Sequence, residues 1–285
     1  HRGGPAGLEG AAEAGGHPMS FSSFSRQELR RVLESLRVCV RGVELPVVLL
    51  GTSPFIGAGQ FGDRSFQYYR RFYENPANIR DLIVYSAELG VWGIQLLSAE
   101  PLVEAFREAV EILRRRMVVV ATVGPARPLE DIRLMAGLEA SAMLIHAGLS
   151  DRLDRKGLSK LLSEIRDFGA LAGLVSHSPA RLLRWLLDTR LEVDLLMVPV
   201  NLLNLYMDAP VEEIAEMARS LEATVIAKKV LAAGRLKPKK ALNFVASLDF
   251  VDAVAVGVAS KEEADETFTE AANAFLRRSG TKKDS

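Results

Sequence analysis

The chain has 285 residues, 48% of them hydrophobic and 25% charged, which is the composition of an ordinary globular protein with a large core. Its 36 basic and 36 acidic residues cancel to a net charge of zero, so neither nucleic acid nor an acidic membrane surface is an expected partner. No apolar run approaches a membrane span and no secretory signal opens the chain. The lone Cys39 cannot form an internal disulfide, so it reads as a structural residue of a reducing compartment and the expected location is cytoplasmic. The expected partner is a small molecule, with a homo-oligomer left open.

Residues 1–18 are rich in Gly and Ala without apolar periodicity and read as a disordered tail or appended extension, with Met19 a candidate start. The rest, 19–285, reads as one domain. Ser25, with Glu28 three residues on and Leu29, Val32, Leu33 and Leu36 at helical spacing, predicts a capped helix. RVCV, the turn Arg41-Gly42 and VELPVV alternate with period two, which predicts a hairpin. Short apolar runs follow at Val47–Leu50, Val91–Leu97, Met117–Val123, Ala142–Ile145, Ala172–Val175, Leu195–Val200, Thr224–Ala227 and Ala253–Val258. Amphipathic helical patterns separate them. Eight such strands predict an α/β fold, a (β/α)8 TIM barrel with an N-terminal helix and β-hairpin, and an open doubly wound sheet is the alternative.

After the first run, GTSPFIGAGQFG holds G-x-G-x-x-G at Gly57, Gly59 and Gly62, but four residues separate it from the tight strand-to-helix turn that a dinucleotide fingerprint needs. The aromatic residues that follow, Phe55, Phe61, Phe66, Tyr68, Tyr69, Phe72 and Tyr73, suggest a lid over the barrel mouth or a subunit contact. Active sites of barrels lie at the C-terminal strand ends. There stand Gln95 and Glu100, His146 and His177 on neighbouring strands about 5 Å apart, and Lys228. Of the pair Lys228-Lys229, alternation sends one ammonium to the mouth and the other to helices or solvent. Ser260 opens a helix after the last run, a place where backbone N–H groups bind phosphate in barrels, although Glu262, Glu263, Asp265 and Glu266 crowd it. No metal ligand set is assigned.

From about Arg37 to its end the chain resembles the aldo/keto reductases. The hairpin, LLGTSPF, ELGVWGIQLLS, VVVATVG, AMLIHAG, GLVSHSP, LLMVPVNLLN, VIAKKVLAAGRL and VDAVAVGVASKEEADETF carry the resemblance. It implies a (β/α)8 barrel with reduced NADP or NAD lying across the strand ends. In the family an Asp, a Tyr, a Lys and a His act on the carbonyl. Here Gln95 stands at the Asp position, the Tyr position falls near Glu100, Val123 replaces the Lys, and His146 is kept. On the cofactor side, His177 follows Ser176 where the family has Asn, Met197 replaces an amide-binding Gln, and Lys228 replaces the aromatic that stacks on nicotinamide. Loss of a positioned general acid costs about a hundred- to ten-thousand-fold in rate.

Three functions follow. The first is a divergent barrel binding a polar or anionic metabolite among Gln95, Glu100, His146, His177, Asn201 and Lys228, with a histidine as acid or base and Lys228 as anion partner. The second is an NAD(P)H-dependent oxidoreductase with a rearranged proton donor, Tyr68 or Tyr69, and with Ser176, Leu231, Gly234 and Ser260 on the cofactor. The third is a hydrolase with a divalent metal on His146, His177 and Glu100.

Overall fold

The computed structural model describes residues 24–281, so the expected tail and candidate start lie outside the described residues. Ser25 caps α1 (Arg26–Ser35): its Oγ accepts the Glu28 N–H at 3.2 Å, and the Glu28 carboxylate accepts the Ser25 N–H at 2.8 Å. The antiparallel hairpin β1 (Arg37–Val40) and β2 (Val43–Pro46) follows. Cys39 is exposed on it and fills no part of the core, contrary to its expected structural role.

Eight parallel strands then close into a barrel: β3 (Val48–Gly51), β4 (Gly93–Leu97), β5 (Val118–Val123), β6 (Ala142–Ile145), β7 (Leu171–Val175), β8 (Leu195–Pro199), β9 (Thr224–Lys228) and β10 (Ala253–Gly257). Closure is between β10 and β3, with Gly257 opposite Gly51. Helices α2 (Arg64–Tyr68), α3 (Pro76–Leu89), α4 (Glu100–Leu113), α5 (Pro128–Gly137), α6 (Ala147–Ser150), α7 (Arg155–Asp167), α8 (Pro179–Thr189), α9 (Val211–Arg219), α10 (Pro238–Ser247) and α11 (Lys261–Thr281) complete the described chain. The strands form as continuous apolar runs because both faces are covered. The second starts later than expected, since Gly90 ends α3 at φ 114 and Val91 and Trp92 belong to the connection.

Alternation divides the apolar residues into two layers. Leu49, Val120, Leu144, Leu195, Met197 and Ile226 fill the barrel, whereas Leu50, Ile94, Val119, Ala121, Leu196 and Val225 meet the helices. Val40 and Leu45 of the hairpin join the inner layer and close its N-terminal end. Arg41, at the hairpin turn, reaches Asp194 Oδ1 at 2.5 Å, and Asp194 Oδ2 accepts the Ala172 N–H at 2.8 Å. The bottom of the barrel is sealed by apolar packing and by the ion pairs of Asp194 with Arg41 and, at 3.7 Å, with Arg166.

The glycine-rich segment is a lid. After β3 come two short 3₁₀ turns, Ser53–Ile56 and Gly59–Phe61, then α2 and a π-helical turn, Tyr69–Tyr73. Gly57 sits at φ 60, where a Cβ would lie 2.3 Å from the Ser65 carbonyl oxygen, so this glycine serves the lid's own turn. Phe55 and Phe72 are buried with ring centroids 5.2 Å apart. Phe61 and Tyr68 pack edge to face at 5.1 Å. Across the mouth Arg64 donates to the Ala233 carbonyl at 2.7 Å and the Tyr206 hydroxyl donates to the Gln60 carbonyl at 3.2 Å.

Candidate active site

The inner register of each strand runs out into a hollow of about 640 Å³ at the C-terminal ends. Gln95, Thr122, His146, His177, Met197 and Lys228 line it from successive strands. Each sits an even number of residues beyond an inward-facing partner, as His146 does beyond Leu144 and Lys228 beyond Ile226. The lid contributes Ile56, Phe61, Arg64 and Tyr68 to the wall.

The floor is a chain of hydrogen bonds. Thr52 Oγ1 donates to Gln95 Oε1 at 3.3 Å, and Gln95 Nε2 donates to Thr122 Oγ1 at 2.8 Å. Both ends of the buried amide are thereby used, so Gln95 is a fixed polar surface. Thr122, not Val123, is the β5 residue that faces inward, because Val123 has the opposite parity and packs in the helix-facing layer.

His146 follows β6 and caps α6, its Nδ1 accepting the Gly148 N–H at 2.9 Å. Partial burial and then the Lys228 charge push this imidazole below its ordinary pKa. The His177 ring lies 6.3 Å away, centroid to centroid. Its Nδ1 is 3.2 Å from Lys228 Nζ and 3.3 Å from Lys229 Nζ. Desolvation in the hollow, then Lys228, then Lys229, push His177 down to about 3. Both rings are therefore neutral at neutral pH. With Nδ1 accepting in each, the proton of each ring is assigned to Nε2.

Alternation is overturned at Lys229, which reaches the same imidazole as Lys228. Lys228 ends β9, and Lys229 takes a left-handed φ of 54, so the chain turns and its side chain swings back over the rim. There Nζ also stands 5.0 Å from the centre of the Tyr206 ring. Neither ammonium has a carboxylate within ion-pair reach among the described residues. Burial and then the neighbouring Lys229 lower Lys228 to about 7, and burial lowers Lys229 as well.

His177 is held by an acid that sequence reasoning missed. Asp151, just past α6, accepts the Ser176 hydroxyl at 2.5 Å and the His177 N–H at 3.0 Å. Nothing in the spacing of Asp151 announces this, because the partners lie 25 and 26 residues apart in sequence.

Four expected site residues lie outside the hollow. Glu100 is exposed in the first turn of α4, where an acid favours the helix dipole. Ser176 is turned to Asp151 and the Ser178 N–H. Asn201 is buried, accepting the Leu203 and Leu205 N–H groups and donating to the Leu205 carbonyl, which fixes its own loop. Ser260 accepts the Glu263 N–H at 3.1 Å as the cap of α11. Leu231 and Gly234 do line the hollow. Tyr68 lines it too, whereas Tyr69 stacks on Tyr73 at 4.8 Å and is 38% exposed, so of the two only Tyr68 faces the hollow. Among the described residues no group of three or more His, Cys, Asp and Glu side chains is arranged to hold a metal ion.

A nicotinamide dinucleotide does not fit these residues. At the start of α11 the Glu263 carboxylate accepts the Ala259 N–H at 2.8 Å and Ser260 takes the Glu263 N–H, so donors a pyrophosphate needs are already engaged. Glu263 and Glu266 line that end of the hollow and would repel it. Lys228 and Lys229 line the same hollow.

The architecture is that of a (β/α)8 barrel with a hollow at the strand C-termini. Among solved structures its fold is similar to that of proteins described as aldo-keto reductases. A protein from Pseudomonas aeruginosa provisionally named an aldo-keto reductase shares 21% identity and superposes with a TM-score of 0.62, over 85% of this chain and 97% of that one. An aldo/keto reductase from Brucella melitensis is 10% identical at a TM-score of 0.58, over 84% and 98%. A third protein, solved in complex with NADPH, is 12% identical at 0.59, over 84% and 87%. At such identities the likeness is one of fold. No protein-family model and no curated protein matches the chain.

Proposed function

We propose that this barrel takes an anionic small metabolite into the hollow, with Lys228 and Lys229 as the partners of its charge and His146 as a neutral hydrogen-bond donor. The observation that carries the reading is the convergence of two lysine amino groups, at 3.2 and 3.3 Å, on one imidazole nitrogen, with no carboxylate within ion-pair reach among the described residues and only the more distant Asp151 charge acting on Lys228. A chain of zero net charge has concentrated unpaired positive charge at one point, inside a mouth that focuses the field on small anions. Family-type carbonyl reduction is disfavoured by the same residues. Gln95 and Thr122 supply no ionisable pair, and the acids at α11 oppose a dinucleotide.

Calorimetric titration with oxalate and with inorganic phosphate tests the proposal. Binding is expected to weaken as salt is raised. It should fall about tenfold or more in Lys229→Met, because a charge-assisted hydrogen bond contributes about 1.5–3 kcal/mol. Affinity unchanged in Lys229→Met and in Lys228→Met would place any anion elsewhere. Although one protein of this fold is solved with NADPH, a fluorescence titration of NADPH here is expected to give no binding at micromolar concentration. Tight, saturable quenching would restore the oxidoreductase reading in place of this one.

A further inference from the structure

We infer that Lys228 is a nucleophile that forms an imine with the carbonyl group of a small substrate carrying a carboxylate or phosphate, a reaction that rests on the anion site proposed above. Its position comes first. Lys228 is the last residue of a barrel strand, paired in register with Pro199 of β8, so its backbone is held by the most rigid part of the fold. Its inward parity puts Nζ in the hollow.

The second argument is what surrounds that amine. An ordinary interior lysine is neutralised by a carboxylate in direct contact, whereas this one contacts an imidazole beside a second lysine, and the Asp151 carboxylate, engaged by Ser176 and the His177 N–H, opposes its loss of charge only from further off. Two ammonium groups on one nitrogen acceptor repel, and the more enclosed of them relaxes the repulsion by giving up its proton. The fall of Lys228 to about 7, against an ordinary 10.5, agrees with that geometry. An amine donating an N–H to His177 Nδ1 keeps its lone pair free, which is the state a nucleophilic lysine requires.

The two lysines divide the work. The Lys228 lone pair forms a C–N bond to the carbonyl carbon while the C=O π pair moves to oxygen, which takes a proton from the Lys229 ammonium. The nitrogen then releases a proton to solvent or back to Lys229, giving a neutral carbinolamine. Protonation of its hydroxyl and departure of water leave a protonated imine, with no oxidant or reductant consumed. The open mouth gives the released water an exit. The acid group of the substrate, carboxylate or phosphate, would stay by Lys229 and hold the carbonyl in place.

The test is reductive trapping. The full chain is incubated at neutral pH with cyanoborohydride and either pyruvate or dihydroxyacetone phosphate, with acetone as the probe lacking an anionic group, and the product is read by intact mass and peptide mapping. The expected result is one reduced adduct per chain, on Lys228, with at least one anionic probe and much less with acetone. It should vanish in Lys228→Arg, which keeps a basic side chain but has no nucleophilic amine, and form more slowly in Lys229→Met. Circular dichroism and the unfolding midpoint establish that both variants fold, and Lys228→Met serves if Lys228→Arg does not. An adduct undiminished without Lys228, or spread over surface lysines, overturns the inference. Probe binding by calorimetry without any adduct overturns the imine and leaves the anion site standing, whereas absence of both removes the two together.

Discussion

Lys228 destabilises the fold it belongs to. Between pH 7 and 10.5 the unfolded chain binds a proton at this residue that the folded chain releases, so stability rises with pH through that window. Lys228→Met is expected to be the more stable protein at pH 7, by about 1–3 kcal/mol, with the difference shrinking toward pH 10. Chemical denaturation at several pH values reads it, and equal slopes for both proteins would contradict the enclosed amine. His177 acts on the acid side with the same sign. Its ordinary value of 6.5 falls to about 3, so stability is lost as pH drops through that interval, and His177→Asn should flatten the loss. The two histidines and Lys228 were legible in sequence because each closes an apolar run, and Gln95 because it is the polar residue inside one, with strand parity fixing where each points. Lys229 was not, since its place depends on one left-handed φ that no pattern of residue types records.

Among the elements, the connection between α6 and α7 carries the most consequence. Asp151 holds the Ser176 hydroxyl and the His177 peptide N–H and so fixes the ring that receives both lysines. Asp151→Ala leaves those donors without an acceptor and should cost about 1–3 kcal/mol in a urea unfolding experiment. Anion affinity should fall with it, as the imidazole loses its anchor. A neutral result on both measurements would make this carboxylate dispensable. The strands were readable because burial on both faces demands continuous apolar stretches, and α1 because a capping box is written in local sequence. The lid was readable as aromatic and glycine-rich, but its 3₁₀ and π turns are set by Phe55 and Phe72 packing beneath it and by Arg64 reaching Ala233 across the mouth. Glu100, Asn201 and Ser260 were misplaced for a related reason. Caps and loop-internal hydrogen bonds use the same polar residue types as binding sites, and only tertiary direction tells them apart.

At the scale of the molecule, the barrel is stoppered at one end and strapped at the other. The Arg41–Asp194 pair and the inner-layer residues Val40 and Leu45 fasten the hairpin beneath the sheet. Asp194→Ala strips the buried Ala172 N–H of its acceptor and should lose about 1–3 kcal/mol. Arg41→Ala should lose no more than about 1 kcal/mol, since that guanidinium is 62% exposed. Thermal unfolding with calorimetric detection separates the two, and a reversed order would reassign what holds the hairpin. Eight strands of matched parity explain why so many inward side chains meet in one place although their sequence positions span more than half the chain.

A stoppered barrel is a blind alley. Whatever enters must back out through the doorway it came in by, past Tyr68 and the Arg64 tether to Ala233. For the proposed ligand, the residues spanning that doorway, Arg64 and Tyr68, would bear on how fast it enters and leaves as well as on how tightly it is held.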